Sequence, residues 1–120
     1  MPPNAVSPWI VHKFGGSSVA DADCFRRVAD ILESQPTPRQ GAVLSACKGV
    51  TDSLLRLITL AEARDESWVG QLGLLRERHA LIAETLLPLA SAAEWLERFD
   101  QDRADLSGIL QTTRLMRSAA

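Results

Sequence analysis

The 120-residue sequence contains no tyrosine, and only 5% of its residues are aromatic. It has no dense cluster of lysine and arginine, and its net charge is −2, so we expect no nucleic-acid partner. Charged residues interrupt every long apolar stretch, which predicts no membrane-spanning segment. The first residues lack the basic region and apolar stretch of a secretory signal. Because 46% of the residues are hydrophobic, we expect a chain that buries a core.

Cysteine is also scarce, since Cys24 and Cys47 are the two thiols of the sequence. Two cysteines do not form a disulfide framework, and no histidine lies at metal-ligand spacing from them. We therefore expect no metal site built from these side chains, and a reducing, cytoplasmic compartment.

Residues 8–52 show the pattern of a β-α-β unit. Apolar residues at 9–14 predict a buried strand, residues 19–33 a helix, and residues 42–45 a second strand. Two prolines within residues 34–41 predict a loop between the helix and the second strand. This order implies two parallel strands joined by a crossover.

Residues 53–120 carry a helical pattern. We expect helices over 51–64 and 68–86, a further helix from about Ser91, and another around residues 106–113. The fold class is therefore α/β and rich in helix. Two parallel strands are few for a parallel sheet, so we expect the first part of a longer, layered domain.

The most informative motif is Lys13-Phe14-Gly15-Gly16-Ser17-Ser18, which follows the first strand. Glycines allow backbone N–H groups to converge on an anion, and a following helix adds partial positive charge. A lysine at this place can neutralise a phosphoryl oxygen. A purely structural interpretation also stays open, in which the glycines form a tight turn with positive φ and the two serines only cap the helix. Neither the Walker pattern nor the G-x-G-x-x-G pattern is present.

A second small-residue loop, Ser45–Asp52, follows the second strand. Because ligands bind at the carboxyl ends of parallel strands, both loops are expected at one end of the sheet. Thr51 is either a helix N-cap or a substrate contact. The two histidines, His12 and His79, and the Cys47 thiol are interpreted as structural groups.

The two motifs, Lys-Phe-Gly-Gly-Ser-Ser-Val and Val-Leu-Ser-Ala-x-x-Gly-Val-Thr-Asp, together resemble the start of aspartate kinases, which are members of the amino-acid kinase family. The match covers residues 10–52. The resemblance implies a parallel three-layer αβα sheet and ATP-dependent phosphorylation of the side-chain carboxylate of L-aspartate, with magnesium held mainly by the phosphates and by residues absent from this chain. This reaction serves the synthesis of lysine, threonine, methionine and isoleucine.

The resemblance also implies roles for individual residues. Lys13 is similar to the lysine that contacts the transferring phosphoryl group. The ATP phosphates would lie against Gly15, Gly16, Ser17 and Ser18. The second loop would contribute substrate contacts through Ser45, Ala46 and Thr51. Family members often carry threonine at the position of Ser17, and the hydroxyl is kept here.

Other parts of such enzymes are expected beyond residue 120: a glutamate and an arginine for aspartate, the nucleotide-base pocket and regulatory ACT domains. We therefore expect an N-terminal portion that is inactive alone, from a homo-oligomeric parent. A fusion to homoserine dehydrogenase or diaminopimelate decarboxylase is left open. The alternatives are another amino-acid or carbamate kinase of this family, and a non-catalytic helical interaction domain.

Overall fold

The computed structural model describes residues 8–119, with side chains described as far as Met116. The chain divides into two compact units between Lys48 and Gly49. The element order confirms the expected fold class, a β-α-β start followed by helices.

The first unit contains strand β1 (Ile10–Phe14), a short 3-10 turn (Gly16–Val19), helix α1 (Ala22–Glu33) and strand β2 (Gln40–Leu44). The strands are parallel, with Ile10 opposite Gln40 and Phe14 opposite Leu44. Residues 19–33 were expected to form one helix. Instead the turn ends at Val19 and α1 starts at Ala22, because Asp21 adopts an extended backbone and caps the new helix.

The core of this unit lies on one face of the two strands. Phe14, Val19 and Val28 are buried together, and Phe25 and Leu32 pack against them. Residues alternate between the faces of a strand, so Val11 and Lys13 lie on the opposite face from Phe14, and both are exposed.

The second unit consists of helices α2 (Val50–Glu62), α3 (Trp68–Leu86) and α4 (Leu89–Ala119), each of which packs against the other two. Helix α2 ends in a Schellman motif, in which the Asp65 N–H donates to Leu60 O and Arg64 takes a positive φ of 59°. Trp68 and Leu57 are almost completely buried in the core of the unit.

Helices α3 and α4 run antiparallel, because the residue numbers of contacting pairs increase along α3 as they decrease along α4. Arg76 bonds to Asp100, and the rings of His79 and Phe99 lie 5.2 Å apart. The expectation of separate helices near Ser91 and residue 106 was wrong, because α4 is continuous. A single Gly108 costs a helix only about 1 kcal/mol, which its packing against α2 and α3 offsets. Within residues 8–119, no helix is both long and apolar enough to cross a membrane.

Candidate functional site

Lys13 is the penultimate residue of β1, and only Phe14 lies between it and the glycine loop. It lies opposite Val43 in the register of the two strands, and its side chain is exposed. The burial of Phe14 fixes the end of the strand, and Lys13 must therefore point away from the α1 side of the sheet. The structure thus presents a cation to solvent at the carboxyl end of β1.

The glycine loop turns sharply after β1 and is anchored by Val19. Ser18 N–H donates to Gly15 O over 2.9 Å, and Val19 is completely buried in the core. Ser17 and Ser18 are exposed between these two fixed points. The first N–H groups of a helical turn have no partner within it, so the loop offers donors to an anion.

Asp21, rather than Ser18, caps helix α1. Its Oδ1 accepts a hydrogen bond from the Cys24 N–H at 2.9 Å, and this bond lowers the pKa of the Asp21 carboxyl below its usual value. The interpretation of Ser18 as the N-cap was therefore wrong. The Cys24 thiol donates to Ser17 O at 3.6 Å, which ties the loop to the first turn of α1.

A cavity of about 270 Å³ adjoins the glycine loop on the α1 side. Ser17, Ser18 and Arg27 line it, and the Arg27 Nη2 lies 3.4 Å from the Cys24 Sγ. Hydroxyl donors and a guanidinium therefore border the same space, which favours an anionic occupant near the loop.

The second loop meets the first at its glycines. Ser45 N–H donates to Phe14 O at 2.9 Å, so the second loop starts beside the end of β1. A Cβ added to Gly16 would lie 3.2 Å from Ala46 O and 3.4 Å from the Lys48 Cα. The absence of a side chain at residue 16 therefore permits the close approach of the two loops.

Neither Gly15 nor Gly16 adopts a positive φ, so backbone conformation does not require glycine at these two residues. Gly15 has φ −72° and ψ 174°, and the glycine with a positive φ in the described chain is Gly49, at 83°. The expectation of a positive φ in this loop is therefore wrong, although the loop does form a tight 3-10 turn. A Cβ at Gly15 would meet no protein atom within 4 Å, so this residue borders open space.

Thr51 lies in the second unit, where it is the second residue of α2 and is exposed. The N-cap of α2 is Gly49, and no side chain caps this helix end. The helix-cap interpretation of Thr51 was therefore wrong. Its substrate role stays a prediction, while Lys13, the glycine loop, Ser45 and Ala46 lie together in the first unit.

The sequence analysis gave no role to Lys48 or to Gln40, which both support the site. The backbone of Lys48 lies against Gly16. The signal in the sequence that could have pointed to Lys48 is the glycine that follows it, Gly49. His12 Nε2 and Gln40 Oε1 are 3.0 Å apart, while Gln40 Nε2 donates to Leu32 O. Since the Gln40 oxygen accepts, His12 donates through Nε2, and the pair ties β1, β2 and α1 together. His79 donates from Nδ1 to Leu75 O at 2.7 Å, within its own helix.

Comparison with known proteins gives this geometry a family context. Residues 8–118 match the model of the amino acid kinase family. The chain is 35% identical over 103 residues to the chloroplastic bifunctional aspartokinase/homoserine dehydrogenase 2 of Arabidopsis thaliana, which covers 86% of this chain and 11% of that protein. It is 38% identical over 95 residues to the aspartokinase of Chlamydia trachomatis serovar D, covering 76% of this chain and 21% of that protein.

One further match is shorter and has a higher identity. The chain is 48% identical over 52 residues to the lysine-sensitive aspartokinase 3 of Escherichia coli (strain K12), which covers 43% of this chain and 11% of that protein. The chain thus spans a small part of the length of these relatives. The family model covers nearly all of the chain, and we conclude that the protein belongs to the amino acid kinase family.

Proposed function

We propose that this chain supplies the phosphate-binding part of an aspartate kinase, which transfers the γ-phosphoryl group of ATP to the side-chain carboxylate of L-aspartate. The observation that carries the proposal is the contact of the two strand-end loops at Gly16, three residues after the exposed Lys13. Such a contact forms one surface on which donor and acceptor can meet. The names of the relatives support the choice of aspartate.

Phosphoryl transfer requires positioning and charge neutralisation more than covalent chemistry. We assign the ATP phosphates to the backbone N–H groups of Gly15, Gly16 and Ser17 and to the hydroxyls of Ser17 and Ser18, since the Ser18 N–H already donates to Gly15 O. Lys13 would neutralise the charge that builds on the transferring group, since its ammonium is a mobile point charge at the end of the rigid strand β1. The open space beside Gly15 gives a phosphate room to approach the backbone.

The acceptor would lie on the side of the second loop. Ser45 and Ala46 are fixed beside the end of β1 by the bond from Ser45 N–H to Phe14 O. Their place opposite the glycine loop suits the aspartate carboxylate that attacks the phosphorus. Thr51, exposed on the first turn of α2, would offer its hydroxyl to the same substrate.

Magnesium enters this proposal as part of the substrate MgATP. The described residues include no group of three or more His, Cys, Asp or Glu side chains that could hold the ion. We therefore assign it to the nucleotide phosphates, where its charge would help to neutralise the transferring group.

The proposal extends to the whole protein. We propose a homo-oligomeric enzyme of aspartate-family amino-acid synthesis, including the lysine and threonine branches. The free, buried thiols of Cys24 and Cys47 fit a reducing compartment, which we propose to be the cytoplasm.

The test is acyl-phosphate formation by the whole protein, trapped with hydroxylamine as the aspartyl hydroxamate. We expect turnover with MgATP and L-aspartate, and far less with L-glutamate, N-acetyl-L-glutamate or carbamate. Preference for one of the other acceptors would assign the chain to a different kinase of the family. If neither turnover nor ATP binding is found, the glycine loop is structural and the helical interaction domain becomes the better hypothesis.

A further inference from the structure

A cavity of about 350 Å³ lies between helices α3 and α4, within the second unit. One side is apolar, formed by Trp68, Val69 and Leu72 of α3. Gly73 continues this wall without a side chain, and a Cβ there would meet no atom within 4 Å. The missing side chain therefore keeps the cavity open.

The opposite side of the cavity is polar and belongs to α4. Asp100, Arg103 and Ser107 line it at helical spacing. Asp100 is already engaged, because Arg76 donates from Nε to its Oδ1 at 3.1 Å and from Nη2 to its Oδ2 at 3.2 Å. These bonds lower the pKa of the Asp100 carboxyl, so it stays ionised at neutral pH.

Two donors on this side form no hydrogen bond within the described part of the chain, although the charge of the Arg103 guanidinium also acts on the Asp100 carboxyl and helps to lower its pKa. Among the described residues, nothing forms a hydrogen bond or close ion pair with the Arg103 guanidinium or hydrogen-bonds to the Ser107 hydroxyl. In contrast, the threonine hydroxyls of the same helix donate to carbonyls four residues back, as Thr112 does to Gly108 O at 3.0 Å. Arg103 and Ser107 are one helical turn apart, so both donors can reach one ligand group.

We propose that this cavity binds a small monocarboxylate with an apolar body. The carboxylate would accept hydrogen bonds from Arg103 and Ser107, which together supply a positive charge and donors for its two oxygens. The apolar body would lie against Leu72, Val69 and the bare backbone of Gly73. The volume suits a compact ligand, since it lies at the lower end of the range for small-molecule sites. The residues of this site all belong to the second unit, and the proposal does not depend on the proposed kinase activity.

The test uses benzoate as the anionic probe and benzyl alcohol as its neutral counterpart. The whole protein is labelled with 5-fluorotryptophan and titrated by ¹⁹F NMR, with the Trp68 resonance assigned by Trp68→Phe. We expect a saturable shift of the Trp68 resonance with benzoate at concentrations up to about 10 mM, and at least about tenfold weaker binding of benzyl alcohol.

Matched variants separate the site from non-specific effects. Gly73→Leu fills the cavity and should weaken benzoate binding about tenfold or more. Gly70→Leu is the control, since Gly70 is also a glycine of α3 with open space but does not line the cavity. Arg103→Gln should weaken binding about tenfold, and Arg103→Lys should restore part of it. Arg103 also borders a second cavity beside His79, which Gly73 does not line.

The proposal is overturned if benzoate gives no saturable shift at Trp68, or if benzyl alcohol binds equally well. It is also overturned if Gly73→Leu retains the affinity of the unmodified protein. Thermal melts of each variant without ligand verify that it folds. If the Gly73→Leu variant does not fold, Gly73→Ala takes its place in the same titration.

Discussion

Substitution of the two loop glycines by alanine should separate a packing requirement from a ligand requirement. At Gly16, the new Cβ would lie 3.2 Å from Ala46 O and 3.4 Å from the Lys48 Cα. Both are backbone atoms that cannot rotate away, so the loops must separate by a few tenths of an ångström. Such overpacking costs about 1–3 kcal/mol, and the lower entropy of the unfolded chain returns about 0.4–1 kcal/mol. We expect Gly16→Ala to lower the free energy of unfolding by about 1 kcal/mol.

Gly15→Ala should behave in the opposite way. Its φ of −72° and ψ of 174° suit alanine, and no protein atom lies within 4 Å of the new Cβ. The variant should gain about 0.5 kcal/mol of stability through the unfolded state. If a phosphate occupies the open space, the same methyl group should raise the KM for ATP about tenfold, or about 1.4 kcal/mol of binding.

Urea denaturation of the 120-residue chain and steady-state kinetics of the whole protein measure the two effects. A Gly16→Ala chain as stable as the unmodified one would refute the close-approach argument. An unchanged KM for ATP in Gly15→Ala would show that the nucleotide does not use the space beside this residue.

Further predictions concern single side chains and the isolated chain. Lys13→Ala in the whole protein should lower kcat about a hundredfold, and a kcat within threefold of the unmodified enzyme would remove Lys13 from the mechanism. Thr51→Val should raise the KM for aspartate more than that for ATP, with an unchanged thermal melt because Thr51 caps no helix; an unchanged KM for aspartate would show that its hydroxyl contacts no substrate. The Arg76 guanidinium lowers the pKa of Asp100, so stability from this pair is complete above the unfolded-state pKa and is lost as the pH falls through the folded-state value. Asp100→Asn should therefore lower the free energy of unfolding at neutral pH, and this free energy should decline less steeply towards acid pH than in the unmodified chain. Urea denaturation between about pH 2 and 7 measures both effects. If the free energy of unfolding of the variant declines as steeply as that of the unmodified chain, this ion pair is not the source of the decline. The isolated chain should self-associate through its exposed strand edges and apolar residues such as Val11, and a monomer mass in light scattering at micromolar concentration would contradict this.

The sequence by itself determined the order of the elements and the nature of the first loop. The apolar residues before Lys13 predicted a strand, which β1 confirms, but the expectation that it is buried was wrong because one of its faces is exposed. Two prolines after α1 end the helix whatever surrounds them. The glycines and hydroxyls after Lys13 are local chemistry, so a phosphate-binding loop could be predicted without any tertiary contact. The paired motifs also pointed to the family to which the chain belongs.

Tertiary structure decided the details that depend on competing contacts. The sequence pattern indicated Ser18 as the cap of α1, but the burial of Val19 in the core places a separate turn before the helix, and Asp21 caps it instead. Helix α4 continues through Gly108 because packing against α2 and α3 outweighs a small loss of helix propensity. The reason for Gly16 lies in Ala46 and Lys48, thirty residues or more away, and the order of residues along the chain does not show which distant backbone atoms will meet in space.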